Sequence, residues 1–329
     1  MSSYLNINNS WVIWSCKALL EDIDKDHILD TLIKNGASPK EATELLQILA
    51  QSPFLEAARS GANRARRESQ SLRNQLYSIA SKFVHQEIPT PETFHNVYLA
   101  HGVPVHIPGF CARSSALQNW NPQRLNQLIG NFKVEVCKGR LSDKTPDRNF
   151  RRYCHKMTMS KYIKEVEASH GNDLYMIARN NNFSLFAQHL WDDLTFPEGF
   201  FCPERAKQFT SFWYGPKFTH TKTHHDTTNI LFCQIRGEKT FWLSPPENIE
   251  LATQADSYYA RKQLSELEQT QSVLTHIFKA TLSPGDALLI PVGWWHEVLS
   301  LSTSISLGIT GLLFENRYVD YHPAPLPKI

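Results

Sequence analysis

No run of apolar residues approaches the roughly 18 needed to span a bilayer as a helix, which excludes a helical membrane protein. The opening Met1-Ser-Ser-Tyr-Leu-Asn-Ile-Asn8 has no charged n-region and no apolar h-region, so no secretory signal is expected there. The six cysteines (Cys16, Cys111, Cys137, Cys154, Cys202, Cys233) include no Cys-x-x-Cys pair and no zinc-like spacing. They read as reduced packing residues of a cytoplasmic protein, a setting in which the sequon Asn8-Asn-Ser10 carries no meaning. Charge of one sign is also lacking. Lys and Arg number 34 against 32 Asp and Glu, so the net +2 gives no whole-chain argument for nucleic-acid binding. No internal repeat or low-complexity tract stands out. A hydrophobic content of 41% is that of an ordinary globular protein, and 329 residues allow one large domain with an appendage or two modest ones.

Chemistry concentrates in Thr221-Lys-Thr-His-His-Asp-Thr-Thr-Asn229 and Trp294-Trp-His296. On an extended strand, residues two apart leave the same face, so His224 and Asp226 would converge on one point. A further imidazole from His296 would complete a 2-His-1-carboxylate facial triad, the open-sided set typical of non-haem Fe(II) oxygenases. A His-x-Asp is by itself common, and His220, His225 and His276 read as members of surface strand pairs. Context sets the first pair apart. The apolar strand Asn229-Ile-Leu-Phe-Cys-Gln-Ile-Arg-Gly237 follows, then the alternating Lys239-Thr-Phe-Trp-Leu-Ser-Pro-Pro246. His296 comes after Ser283-Pro-Gly-Asp286, Ala287-Leu-Leu-Ile-Pro291 and the turn residue Gly293, as a jelly-roll requires to bring a distant ligand back.

These residues carry a resemblance. From about Ile88 onward the chain resembles the JmjC oxygenases of the small, cupin-like hydroxylase branch, which includes the asparaginyl hydroxylase of hypoxia-inducible factor. The match rests on His224-His-Asp226, Gln234-Ile-Arg-Gly-Glu-Lys239, Leu243-Ser-Pro-Pro246, Pro284-Gly-Asp286 and Ile290-Pro-Val-Gly-Trp-Trp-His296. It implies a double-stranded β-helix, mainly β with helices, preceded by an α-helical N-terminal region. It also implies Fe(II) held by His224, Asp226 and His296, with 2-oxoglutarate and dioxygen at the open positions. Lys239 shares a strand face with Phe241 and Leu243 and would point inward with them; an inward lysine needs a partner, and the far carboxylate of 2-oxoglutarate would be one. The resemblance adds Thr221 and Tyr175 as hydroxyls for that carboxylate. Asn229 lies near a family asparagine position, although its spacing from Asp226 is one residue shorter than usual. The expected reaction is hydroxylation of a C–H bond of a protein or peptide side chain, with release of succinate and CO2. The alternatives are a tRNA or small-molecule hydroxylase of the same family, and a non-catalytic cupin-fold binding protein.

Residues 1–85 read as helical: a stretch headed by Trp11 and Trp14, another carrying Ile28, Leu29, Leu32 and Ile33 up to Asn35-Gly36, and a third opened by the capping box Ser38-Pro-Lys-Glu41. A fourth runs from Ser52-Pro53 towards Phe83 and bears Arg59, Arg64, Arg66, Arg67 and Arg73. It is either a solvated face or a docking surface for an acidic peptide or a second subunit, so this region is expected to dimerise or to recruit substrate. A domain boundary falls at Gln86-Glu-Ile-Pro-Thr-Pro91, and residues 86–329 form the oxygenase domain. Further expectations are strands at 103–108, 132–136, 173–178 and 209–214, helices at 94–100 and 157–168, a basic surface loop at 138–155, and a helical insertion from Tyr258 to Leu267. Trp213 either walls the pocket or fills the core. The tail from Tyr318 to Ile329 is expected to lie along the surface.

Overall fold

A computed structural model of the chain describes residues 8–20, 23–79, 87–143, 146–147, 149–246, 248, 251, 258–270 and 277–313. The expectations for His276 and for the tail from Tyr318 lie outside these residues, as does the expected boundary at Gln86.

Among the described residues four helices come first: α1 (Asn9–Leu20), α2 (Lys25–Lys34), α3 (Pro39–Ala50) and α4 (Pro53–Ile79). The capping box at α3 forms as read, with Ser38 accepting from the Glu41 N–H while the Glu41 carboxylate accepts from the Ser38 N–H at 2.9 Å. The apolar stripes of the first three helices close a core of their own around Trp14, Ile28, Leu32, Leu45 and Leu49.

Twelve strands follow among the described residues: β1 (Val105–Ile107), β2 (Lys133–Lys138), β3 (Cys154–Thr158), β4 (Leu174–Tyr175), β5 (Thr210–Gly215), β6 (His220–His224), β7 (Ile230–Arg236), β8 (Lys239–Ser244), β9 (Phe278–Leu282), β10 (Ala287–Ile290), β11 (Trp295–Ser300) and β12 (Ser304–Ile309). They form a five-stranded sheet in the order β1-β10-β7-β12-β5, a four-stranded sheet β6-β11-β8-β9 and a small sheet β3-β2-β4. All the pairings are antiparallel. The two larger sheets are the walls of the double-stranded β-helix. Alternation sends Leu231, Cys233, Ile235, Ile305, Leu307 and Ile309 from one wall and Phe241, Leu243, Leu282 and Val298 from the other into one continuous core. At the β7–β8 turn Gly237 has φ +71°, and a Cβ there would lie 2.3 Å from the Thr303 carbonyl oxygen, so this turn admits only glycine.

Several elements differ from expectation. Met157 and Thr158 belong to β3, so the helix after them is Met159–Glu167. The strand expected at 173–178 shortens to β4 plus one bridge from Met176 to Tyr214. In the expected helix from Tyr258, only Leu264–Gln269 is helical; residues 258–263 run along β6, with Ala260 N–H on the Thr223 carbonyl and His225 N–H on that of Tyr258. Two signals there pull the backbone from the helix: it supplies hydrogen bonds to an otherwise open strand edge, and its side chains pack with Trp242 and Trp295 in a satellite core. The basic loop is not wholly solvated either. Arg140 is 1% exposed and donates to Asp147 at 2.6 Å.

Candidate functional site

His224 ends β6 and His296 is the second residue of β11; the register of the β6–β11 pair sets them directly opposite each other. Their ring centroids are 4.2 Å apart. Asp226 is not on the strand, as the two-residue spacing suggested, but in the turn beyond it, where its carbonyl accepts from the Gly293 N–H and so ties that turn to the approach to His296. His296 Nε2 stands 3.5 Å from Asp226 Oδ2, and one ligand atom from each of the three residues lies within 4.8 Å of the others. Donors in neighbouring positions around a metal with bonds of about 2.1 Å lie about 3 Å apart, so the set needs little closure to hold one ion.

Backbone carbonyls orient both rings. His224 Nδ1 faces the Lys222 carbonyl at 2.8 Å and His296 Nδ1 that of Trp294 at 2.9 Å. Nδ1 is thereby committed as the donor, and Nε2 of each ring presents its lone pair to the common point. Burial lowers the pKa of both rings, that of His296 to about 4 with the neighbouring His224 adding to the effect, so both stand neutral as ligation requires.

Between the paired residues, β11 runs from His296 to Val298 while β6 runs from His224 to Thr221. The extra β6 residue is a β-bulge, and it returns Thr221 to the face of His224 although the two are three apart. Thr221 there meets the phenol of Tyr175. The Tyr175 hydroxyl is in turn 3.4 Å from Lys239 Nζ. Thus Thr221, Tyr175 and Lys239, from three strands, are brought together. Gly215 makes room for the tyrosine, since a Cβ there would sit 2.6 Å from Tyr175 Cδ2. Lys239 points inward as alternation required, is 1% exposed, and lies 5.4 Å from the Phe232 ring centroid. Among the described residues it has no carboxylate partner, and burial alone lowers its pKa from 10.5 to about 7. Asn229 Oδ1 accepts from the Val292 N–H at 2.9 Å, bracing the turn that leads to His296. Trp213 packs on Phe232 with centroids 5.3 Å apart, and also borders the cluster that contains Tyr175.

Neighbouring histidines fare differently from their reading as surface pairs. His225 is 2% exposed and packs edge-on against Trp295 at 4.7 Å. His220 Nε2 lies 2.7 Å from Glu297 Oε1. Glu297, also 1% exposed, accepts further bonds from the Thr223 hydroxyl at 3.0 Å, the Ser265 hydroxyl at 2.6 Å and the Ser265 N–H at 3.0 Å. It therefore clamps β11, β6 and the 258–265 segment at the level of the two imidazoles. A carboxylate in the middle of β11, between His296 and the apolar Val298-Leu299, was the available signal for it.

Sequence reasoning also missed an arc of residues around the site. Arg140 lies 5.5 Å from the Tyr175 ring centroid. Its partner Asp147 offers a backbone carbonyl to Arg179 Nη1 at 3.4 Å. The Arg179 guanidinium sits 5.9 Å from the Tyr259 ring, and that ring stacks on His224 at 5.7 Å and 22°. No sequence signal marks Tyr259, whose place follows from the extended 258–263 segment.

A jelly-roll of this kind, with two imidazoles and a carboxylate gathered at one point and a buried lysine beside two hydroxyls, defines a cupin-fold scaffold. The chain belongs to the cupin-like domain family, which matches residues 91–309. Some of its relatives carry the JmjC name. It is 27% identical over 228 residues to lysine-specific demethylase JMJ30 of Arabidopsis thaliana, covering 66% of this chain and 51% of that protein. It is 24% identical over 229 residues to lysine-specific demethylase 8 of Xenopus tropicalis (67% and 50%), and 29% identical over 216 residues to JmjC domain-containing protein A of Dictyostelium discoideum (60% and 84%). The chain thus spans about half the length of the first two. JmjC oxygenases use Fe(II), 2-oxoglutarate and dioxygen, and the His-Asp-His cluster is able to hold the metal. The asparaginyl hydroxylase branch is not singled out by these relatives. Among the described residues no helix is long and apolar enough to cross a membrane.

Proposed function

We propose that the chain is an Fe(II)- and 2-oxoglutarate-dependent dioxygenase that hydroxylates a C–H bond of a protein or peptide side chain. In this reading His224, Asp226 and His296 hold the iron, and Lys239, with the Thr221 and Tyr175 hydroxyls, holds the far carboxylate of the cosubstrate. The observation that carries it is the lysine. An ammonium buried beside two hydroxyls and, among the described residues, no acid is a costly arrangement for a protein to keep unless an anion is its partner. The bound metal and cosubstrate would supply the oxidising power, by coupling oxidation of 2-oxoglutarate to succinate and CO2 with use of dioxygen.

The protein's own contributions are orientation and exclusion of water. The Lys222 and Trp294 carbonyls fix the imidazoles, Glu297 holds their two strands in register, and Asn229 steadies the turn before His296. Fe(II)-dependent formation of succinate by the purified protein, lost in His296→Ala, tests the oxygenase reading. A peptide product heavier by one oxygen tests hydroxylation. The relatives named as lysine demethylases favour a second reading, N-demethylation. The same assay separates the two, because demethylation gives a product lighter by a methylene and releases formaldehyde. The helical region 1–85 serves, in this proposal, to dimerise or to recruit substrate; mass measurements on the full chain and on residues 86–329 would distinguish these.

A further inference from the structure

The rim above the metal cluster is basic in a particular way. Arg179 is exposed and held between two aromatic rings, 5.3 Å from the Phe150 centroid and 5.9 Å from that of Tyr259. The second of these rings lies on His224, so the guanidinium stands over the approach to the site. A second exposed guanidinium, Arg151, is 6.0 Å from the Phe150 centroid. Neither arginine forms an ion pair with a carboxylate among the described residues; Arg179 donates to the Asp147 carbonyl at 3.4 Å and acts on the Asp147 carboxylate only through space, that group being held by Arg140.

The acids nearby are already engaged. Asp147 is buried and paired with Arg140 at 2.6 Å, and Glu297 is buried under four hydrogen bonds. Asp143 accepts from the Asn149 amide and the Tyr153 hydroxyl, both at 2.9 Å, and Asp226, partly buried, turns to the imidazoles, with Oδ2 3.5 Å from His296 Nε2. Aromatic rings flanking a guanidinium restrict its rotamers and shield it in part from water, which strengthens its pull on an incoming anion.

The geometry points to Arg179, aided by Arg151 and seated on Phe150 and Tyr259, as the group that selects substrate: it binds an Asp or Glu carboxylate carried next to the reacting residue and repels cationic side chains. This inference rests on the peptide-hydroxylase reading and sharpens it. It also sets the chain apart from enzymes that admit a methylated lysine, whose cation would meet two exposed guanidiniums at the entrance.

The test uses the full chain with Mn(II) and 2-oxoglutarate, and two fluorescein-labelled dodecapeptides, one alternating Asp with Ala and the other Lys with Ala. Fluorescence anisotropy is expected to show binding of the acidic peptide, weakened roughly tenfold or more by Arg179→Glu and largely kept by Arg179→Lys, since reversal turns one attraction into a repulsion. Thermal melting of each variant confirms that it is folded. Equal or tighter binding of the lysine peptide, no binding of either peptide, or acidic binding indifferent to Arg179→Glu would each overturn the inference. Succinate formation by the wild-type protein with Fe(II) is measured separately. Its absence alongside Arg179-dependent acidic binding would remove the oxygenase reading and leave the recognition site standing.

Discussion

Lys239 permits a quantitative experiment. Burial lowers its pKa from 10.5 to about 7, which corresponds to about 5 kcal/mol of unfavourable free energy for keeping the ammonium buried with no carboxylate beside it among the described residues. A dicarboxylate binds only the charged form, so binding above pH 7 must draw in a proton. The sign follows directly: affinity for 2-oxoglutarate is full below pH 7 and falls as pH rises through it. With a pKa of about 7, about a tenth of the lysine is neutral at pH 6 and about nine tenths at pH 8, so affinity should drop about tenfold across that interval. Proton uptake per bound cosubstrate should climb from about 0.1 to about 0.9 over the same interval. Isothermal titration calorimetry with Mn(II) in place of iron, in two buffers of different ionisation enthalpy, measures both quantities. Lys239→Met should bind no cosubstrate and yet melt several degrees higher at pH 6, because it replaces an uncompensated charge with an apolar chain of similar length. Affinity and proton uptake that ignore pH, together with an unchanged melting temperature in Lys239→Met, would refute the reasoning.

Other expectations follow from single contacts. His296→Ala should abolish tight Fe(II) binding and succinate formation while leaving the far-ultraviolet circular dichroism intact. Asp147→Asn leaves Arg140 buried without its counter-charge and should cost about 3 kcal/mol or more in urea unfolding, whereas the paired change Arg140→Met with Asp147→Leu should recover most of it. Glu297→Gln should lower stability by about 1–3 kcal/mol and weaken Fe(II) binding as well, since the carboxylate joins the strands carrying both imidazoles; an unchanged metal affinity would confine it to a purely structural part. Gly215→Ala should weaken 2-oxoglutarate binding more than metal binding, because its methyl group displaces the Tyr175 ring; equal effects on both would argue against that cradle.

How much of this was legible beforehand depended on whether one segment carried its own signal. β7 and β8 were readable because an apolar or alternating run ends at turn residues in each, and the α3 capping box because both of its partners lie within four residues. Lys239 could be aimed inward from Phe241 and Leu243 alone. Long-range pairing was where local reading failed. Cys154–Thr158 looks like the end of a basic loop, and becomes a strand because β2 offers it an edge. Arg140 reads as solvated until Asp147 is folded against it. The extended 258–263 segment and the burial of His225 depend on partners in β6 and on Trp295, and so have no local signature.

The additional residue accommodated in β6 has a consequence for how this protein can change. It sets the hydroxyl of Thr221 and the ring of His224 in phase, so the two cannot drift independently. Deleting either Lys222 or Thr223 would restore a regular ladder and swing one of the two side chains to the far side of the sheet. Insertions and losses elsewhere on the rim leave that phase alone, and it is there, around Phe150, Arg179 and Tyr259, that descendants of this scaffold have room to acquire new tastes.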